Sequence, residues 1–119
     1  MKTHKDLNVW QNSIQLVKII YELTTKFPSA ELYGLTSQIK RAVISVPSNI
    51  AEGAARHSDK EFIHFLYIAS GSLSEVETQI IIVFELMFIN EKEKDTVINR
   101  INEVRAQLFG LIKHVNGKS

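Results

Sequence analysis

Apolar residues along this 119-residue chain recur in steps of three and four, the spacing that keeps one face of a helix turned toward a core. In the first segment they fall at Leu7, Trp10, Ile14, Val17 and Tyr21, and Leu16, Ile20 and Leu23 widen that face. Pro28 disfavours helical geometry at Phe27, so the first helix is predicted to stop near Lys26. The second segment carries Leu35, Ile39, Val43, Val46 and Ile50. Pro47 interrupts it, yet the stripe stays in phase through Ile50, which predicts one helix kinked near Pro47 rather than two helices.

The third helix has a start signal in Ser58 and Glu61, the S-x-x-E capping box whose two side chains can each satisfy a free amide. From there Phe62, Leu66, Ala69, Leu73, Val76, Ile80, Val83 and Met87 alternate steps of four and three. Ile63, Phe65, Ile68, Ile81, Ile82, Phe84 and Phe88 extend the apolar surface far beyond one stripe. Such a helix is expected to be central in its bundle and also covered by another subunit. Asn90 with Glu93 opens the last helix, Val97, Ile101, Val104, Leu108, Leu111 and Val115 give its stripe, and Asn116-Gly117 suits its end. Short connections make consecutive helices antiparallel. The predicted fold is all-α: one up-down-up-down four-helix bundle over residues 1–119.

Composition narrows the classes without naming a function. The chain is 45% hydrophobic and 23% charged, as in ordinary globular domains. Fourteen Lys/Arg oppose 13 Asp/Glu for a net charge of +1, so bulk charge alone does not point to nucleic acid. With no cysteine, disulfides, thiolate chemistry and Cys-based zinc sites are excluded, which suits a reducing cytoplasm. The N-terminus lacks a signal-like apolar stretch, and the most apolar run, Ile80 to Ile89, is broken by Glu85. It is half the roughly 20 residues a membrane span needs. The expectation is a cytoplasmic domain without a membrane partner.

Small and polar residues inside the pattern raise two questions. Glycine in a helix interior costs about 1 kcal/mol relative to alanine. Gly71 sits among Ala69, Ser70, Ser72 and Ser74, and the second helix has Ser48, Ala51, Gly53, Ala54 and Ala55. Close packing of the two helices is preferred here over a ligand's approach. A polar stripe of Gln38, Arg41, Ser45, Ser48 and Glu52 also follows the second helix, either a solvated face or a contact surface.

The tests for chemistry give little. Glu61 and His64 form one Glu-x-x-His element, but a di-iron bundle needs two, and no second exists. No nucleophile elbow or phosphate-binding glycine loop is present, so neither enzyme activity, cofactor nor metal is expected. Charge is uneven: residues 34–58 hold Lys40, Arg41 and Arg56 against Glu52 alone, and residues 89–119 are also mildly basic, whereas residues 59–88 are acidic. A ring of identical subunits would repeat a weak basic patch and raise its potential.

The runs Gln38-Ile39-Lys40-Arg41-Ala42 and Ser45-Val46-Pro47-Ser48-Asn49-Ile50-Ala51-Glu52-Gly53 resemble the signature of a bacterial family that includes proteins encoded within intervening sequences of 23S ribosomal RNA genes. The run from Ala69 to Gln79, with Gly71 and Glu75, is similar to the family's second signature, and Asp6 to Trp10 and Leu108 to Ile112 fit as well. The resemblance implies a four-helix bundle assembled as a ring, most often a homopentamer, with no established enzymatic activity. It makes Pro47, Asn49, Glu52, Gly53, Gly71, Glu75 and Gln79 signature positions with structural roles. A related branch, the accessory variability determinant of diversity-generating retroelements, associates with a reverse transcriptase and binds nucleic acid through basic surfaces. The leading expectation is a non-enzymatic homo-oligomer that contacts nucleic acid through phosphates, RNA ahead of DNA with either left open. Lys40, Arg41, Arg56, Arg100 and Arg105 are its candidate positioning cations. The rival is a scaffold for a protein partner.

Overall fold

A computed structural model describes residues 3–117 as four α-helices with no strand among them. They are α1 (Asn8–Thr24), α2 (Leu35–Ala54), α3 (Asp59–Glu85) and α4 (Glu91–Gly117). Single 3-10 turns at His4–Asp6 and Ser29–Glu31 precede α1 and α2. Each helix packs on its chain neighbour, and α1 packs on α4 to close the bundle. The diagonal pairs α1–α3 and α2–α4 make no close backbone approach. Contacts across the α1–α4 and α3–α4 seams come in reversed chain order: Asn12 with Gln107 and Lys26 with Glu93, Phe84 with Lys94 and Glu77 with Arg105. The bundle measures 47 × 25 × 20 Å, which suits 27-residue helices of about 40 Å.

Helix ends follow local chemistry. The Asn90 side chain accepts from the Glu93 N–H at 2.8 Å, and the Glu93 carboxylate accepts from the Asn90 N–H at 2.9 Å, a complete capping box. At α3 only half of the expected box forms: Ser58 Oγ accepts from the Glu61 N–H at 3.1 Å, and no return bond from Glu61 to Ser58 is made. The α2 helix passes through Pro47 as one uninterrupted element.

The core is one apolar cluster, and its stripes refine the spacing. In α2, α3 and α4 the fully enclosed residues include Val43, Val46, Ile50, Leu66, Leu73, Ile80, Ile101, Val104 and Leu108, as the pattern predicts. In α1 the buried stripe is instead Val9, Ser13, Leu16, Ile20 and Leu23, while Trp10, Ile14 and Val17 are half-buried on the flank facing α2. Tyr21 is more exposed still, its ring under the Lys40 ammonium. Ser13 tolerates burial because its hydroxyl donates to the Trp10 carbonyl at 2.7 Å.

Met87 departs furthest from expectation. The stripe placed it in the core, but α3 ends at Glu85 and Met87 turns outward with φ 65°. Its N–H donates to the Phe84 carbonyl and the Phe88 N–H to the Val83 carbonyl, both at 2.9 Å, a Schellman closure. Glycine usually fills that left-handed position, and a side chain there costs about 1 kcal/mol.

Candidate functional site

The five candidate cations do not gather on one surface. Lys40 leans toward α1, its Nζ 4.7 Å from the centre of the Tyr21 ring. Arg41 is exposed beside it and lines a polar groove of about 320 Å³ with Gln38 and Ser45 of α2 and Ser72 and Glu75 of α3. Arg56 lies beyond the far end of α2, 3.7 Å from Glu52 and stacked 4.9 Å over Phe65. Arg100 stands 3.9 Å from Glu103 on α4, the helix diagonal to α2. Arg105 donates to Glu77 of α3 at 2.7 Å and to Asn102 at 2.8 Å.

These partners rank the cations. Exposed pairs such as Arg56–Glu52 and Arg100–Glu103 are worth under about 1 kcal/mol and open readily. Arg105 is different, because two short bonds fix its guanidinium across the α3–α4 seam. Lys40 and Arg41 alone of the five have no carboxylate partner among the described residues.

Beside Arg41 the groove floor is a hydroxyl–amide network. The Asn49 amide donates to the Ser45 carbonyl and to Ser45 Oγ, each at 2.8 Å, and Ser45 Oγ lies 2.9 Å from Ser72 Oγ. The serine pair shares one hydrogen bond, so one hydroxyl proton is left to point elsewhere, whichever serine donates. Further along α3, Gln79 is buried; its amide donates weakly to Glu75 at 3.5 Å and its Oε1 has no partner.

The small residues divide in two. At Gly53 an added Cβ would sit 2.8 Å from Phe65 Cβ and 3.1 Å from the Phe62 carbonyl oxygen, so α2 and α3 approach there because glycine permits it. Ala42 and Ala69 are buried along the same helices. Gly71 does not share this role: nothing lies within 4 Å of its added Cβ, because it faces away from α2 into open space. The close-packing expectation holds for Gly53 and fails for Gly71.

Residues 5–110 match the family described as 23S rRNA-intervening sequence protein. The chain belongs to this family. No functionally curated protein matches it. Among solved structures it is similar to the crystal structure of a protein of unknown function from the S23 ribosomal protein family of Bacteroides thetaiotaomicron. That likeness has 24% identity and a TM-score of 0.81, and covers 88% of this chain and 98% of the other. At that identity it speaks for the fold.

For a member of the 23S rRNA-intervening sequence protein family, the signature positions now have physical content. Pro47 lacks the N–H that would reach the Val43 carbonyl, and the Asn49 amide adds a bond to the Ser45 carbonyl across the same stretch of α2. Glu52 pairs with Arg56, and Gly53 sets the α2–α3 spacing. Glu75 and Gln79 bond each other one turn apart. The Glu61–His64 element lies on the exposed side of α3, and no three metal-ligating side chains converge among the described residues. No helix among them is long and apolar enough to cross a membrane.

Part of the apolar surface that the sequence pattern extended beyond one stripe lies on the outward face of α3. Tyr67, Ile68, Ile81 and Ile82 are exposed along it, and the open Gly71 lies between the two apolar pairs. Their apolar character was legible in sequence. Which of them the bundle would leave uncovered was not, because that depends on where α2 and α4 lie.

Proposed function

We infer that this chain is a cytoplasmic, non-enzymatic bundle that assembles with copies of itself and associates with RNA through phosphate contacts. The observation that carries assembly is the outward face of α3, apolar at both ends and flat at Gly71, which suits close approach of another subunit. The homopentameric ring expected from sequence is the form of assembly we propose. Within it, Lys40 and Arg41 of every copy are the cations offered to phosphate, since no carboxylate among the described residues engages them. A ring multiplies that modest charge. The family's description, with its 23S rRNA intervening sequence, directs the choice of probe.

Light scattering at micromolar concentration should give a multiple of the protomer mass, and Ile81→Glu with Ile82→Glu should reduce it to one protomer with helicity intact. A monomer mass for the native chain sinks the assembly. Fluorescence anisotropy with a short structured RNA, titrated across salt, then tests the second half. Replacing Lys40 and Arg41 with alanine should weaken binding and flatten the salt slope, whereas Arg105→Ala should cost stability and leave affinity unchanged. Absence of RNA binding at low salt leaves the assembled bundle as a protein scaffold.

A further inference from the structure

The two ends of the bundle are built differently. At one end the α1–α2 and α3–α4 connections lie side by side, joined by Phe27 against Phe88 at 6.0 Å and by the Lys26–Glu93 ion pair. Four large apolar side chains project from them: Leu32 is 50% exposed, Tyr33 93%, Leu86 50% and Met87 87%. At the other end the α2–α3 connection, residues 55–58, is Ala-Arg-His-Ser and exposes no large apolar residue. Exposed loops in this fold therefore do not have to be apolar.

Charge marks the same end. Glu22, Glu31, Glu85, Glu91, Glu93 and Asp95 lie about it, against Lys26, Lys40, Lys92 and Lys94. Lys26 is paired with Glu93 and Lys94 with Asp95, and Lys40 sits over Tyr21, which leaves four carboxylates to Lys40 and Lys92. The helix ends do not offset this excess, because two N-termini and two C-termini meet there and their dipoles oppose.

Met87 adds an independent sign. Glycine would close α3 without strain, yet a methionine is held in the left-handed conformation with its flexible thioether pointing into solvent. Strain of this kind persists where the side chain serves something other than the fold, and methionine suits an adaptable apolar contact.

We propose that this end of the bundle, formed by Leu32, Tyr33, Leu86 and Met87 within a rim of glutamates, is a docking surface for a cationic amphipathic segment of a protein partner. The apolar side of the segment covers the four projecting side chains, and its lysines or arginines meet Glu31, Glu85 and Glu91. A second copy of the same end is a poor occupant, since it would bring like charges together. An anionic membrane or a nucleic acid is disfavoured for the same reason. Leu86 continues the outward α3 face one turn past Ile82, whereas Arg41 lies in the groove with Ser72 and Glu75, so the proposal does not depend on RNA contact there.

The full chain, titrated with a short fluorescent Leu/Lys amphipathic peptide and with a Leu/Glu counterpart of the same pattern, tests the proposal. The cationic peptide should bind, more weakly as salt rises, and the acidic one should not. Tyr33→Ser with Met87→Asp should lower affinity about tenfold, as should Glu31→Lys with Glu91→Lys. Glu103→Lys, a single charge reversal out on α4, should stay within about twofold of native. Met87→Gly should raise Tm while weakening the peptide, a pairing of signs that a purely structural role cannot produce. Equal binding of both peptides, or indifference to both double variants, overturns the proposal. So does a drop in assembled mass on Met87→Asp, which would show that a second copy covers this end.

Discussion

The α2–α3 seam and the α1–α4 seam solve the same packing problem with different materials. Between α2 and α3, Gly53 lets the helices touch near the Phe62 carbonyl, and the polar contact is a neutral hydroxyl pair, Ser45 with Ser72. Between α1 and α4, long side chains reach across instead: Asn12 donates to Gln107 at 2.9 Å and Lys26 pairs with Glu93. There the seam leaves a mostly apolar groove of about 280 Å³ beside Ile19, Leu23 and Val97. Helix spacing is set by the smallest residue at the crossing, and the polar chemistry that follows is whatever can span the remaining gap. A short gap selects serine and a wide one selects charged or amide side chains.

The largest effect should come from filling the tight seam. Gly53→Ala puts a Cβ where Phe65 Cβ already lies at 2.8 Å, and backbone carbonyl and ring leave it little room to move. Overpacking of that kind costs about 2 kcal/mol, read as a lowered denaturant midpoint. Gly71→Ala is the control in the same pair of helices. Its Cβ meets open space, so helix propensity alone predicts a gain of about 1 kcal/mol. A loss at Gly71 would mean that another backbone lies against it in solution, which is what assembly through α3 requires.

These two glycines also show what the sequence could and could not convey. Both sit in helical patterns among small residues, and nothing local separates them; the difference is Phe62 and Phe65 opposite one and nothing opposite the other. The stripes of α2 and α4 were legible because apolar residues stood at nearly every core position, save that Ile112 rather than its neighbour Leu111 is the buried residue of the last α4 turns. In α1 two adjacent stripes were equally apolar, and the buried serine at position 13 hid the one facing inward. Met87 kept perfect phase with Val83, and no glycine marked the left-handed residue that ends the helix. Charge counts were sound, but partners lie across helices: Arg105 looked available until α3 placed Glu77 beside it. Periodicity reports which face is buried. It says little about what meets that face from the next helix.

A smaller effect should follow from breaking the serine contact. Ser45→Ala and Ser72→Ala should each cost about 1 kcal/mol, and the double variant little more than either alone, because both remove one shared bond. Additive losses in the double-mutant cycle would show that water already separates the hydroxyls, and the α2–α3 seam would then be looser than Gly53 implies. Asn49 gives an internal check, since its amide keeps the Ser45 carbonyl as acceptor at 2.8 Å when the hydroxyl is removed.

The smallest effect distinguishes the seams by pH. The Lys26 ammonium, with help from the Asn90 N–H, holds the Glu93 carboxyl below the usual carboxylate range. A carboxyl whose folded pKa is depressed contributes stability at pH values above its unfolded pKa of about 4.3, and that contribution is lost as pH falls through the lower folded value. Glu93→Gln should therefore lower Tm slightly at pH 7 and converge with the native chain in strong acid. The Ser72→Ala difference should stay constant over the same interval, since neither hydroxyl titrates there. High salt should shrink the Glu93→Gln difference at pH 7 as well, because the pair is open to solvent on its lysine side. If the two differences instead shrank together with falling pH, the bundle would be loosening as a whole, and the seams would not be independent units held by different forces.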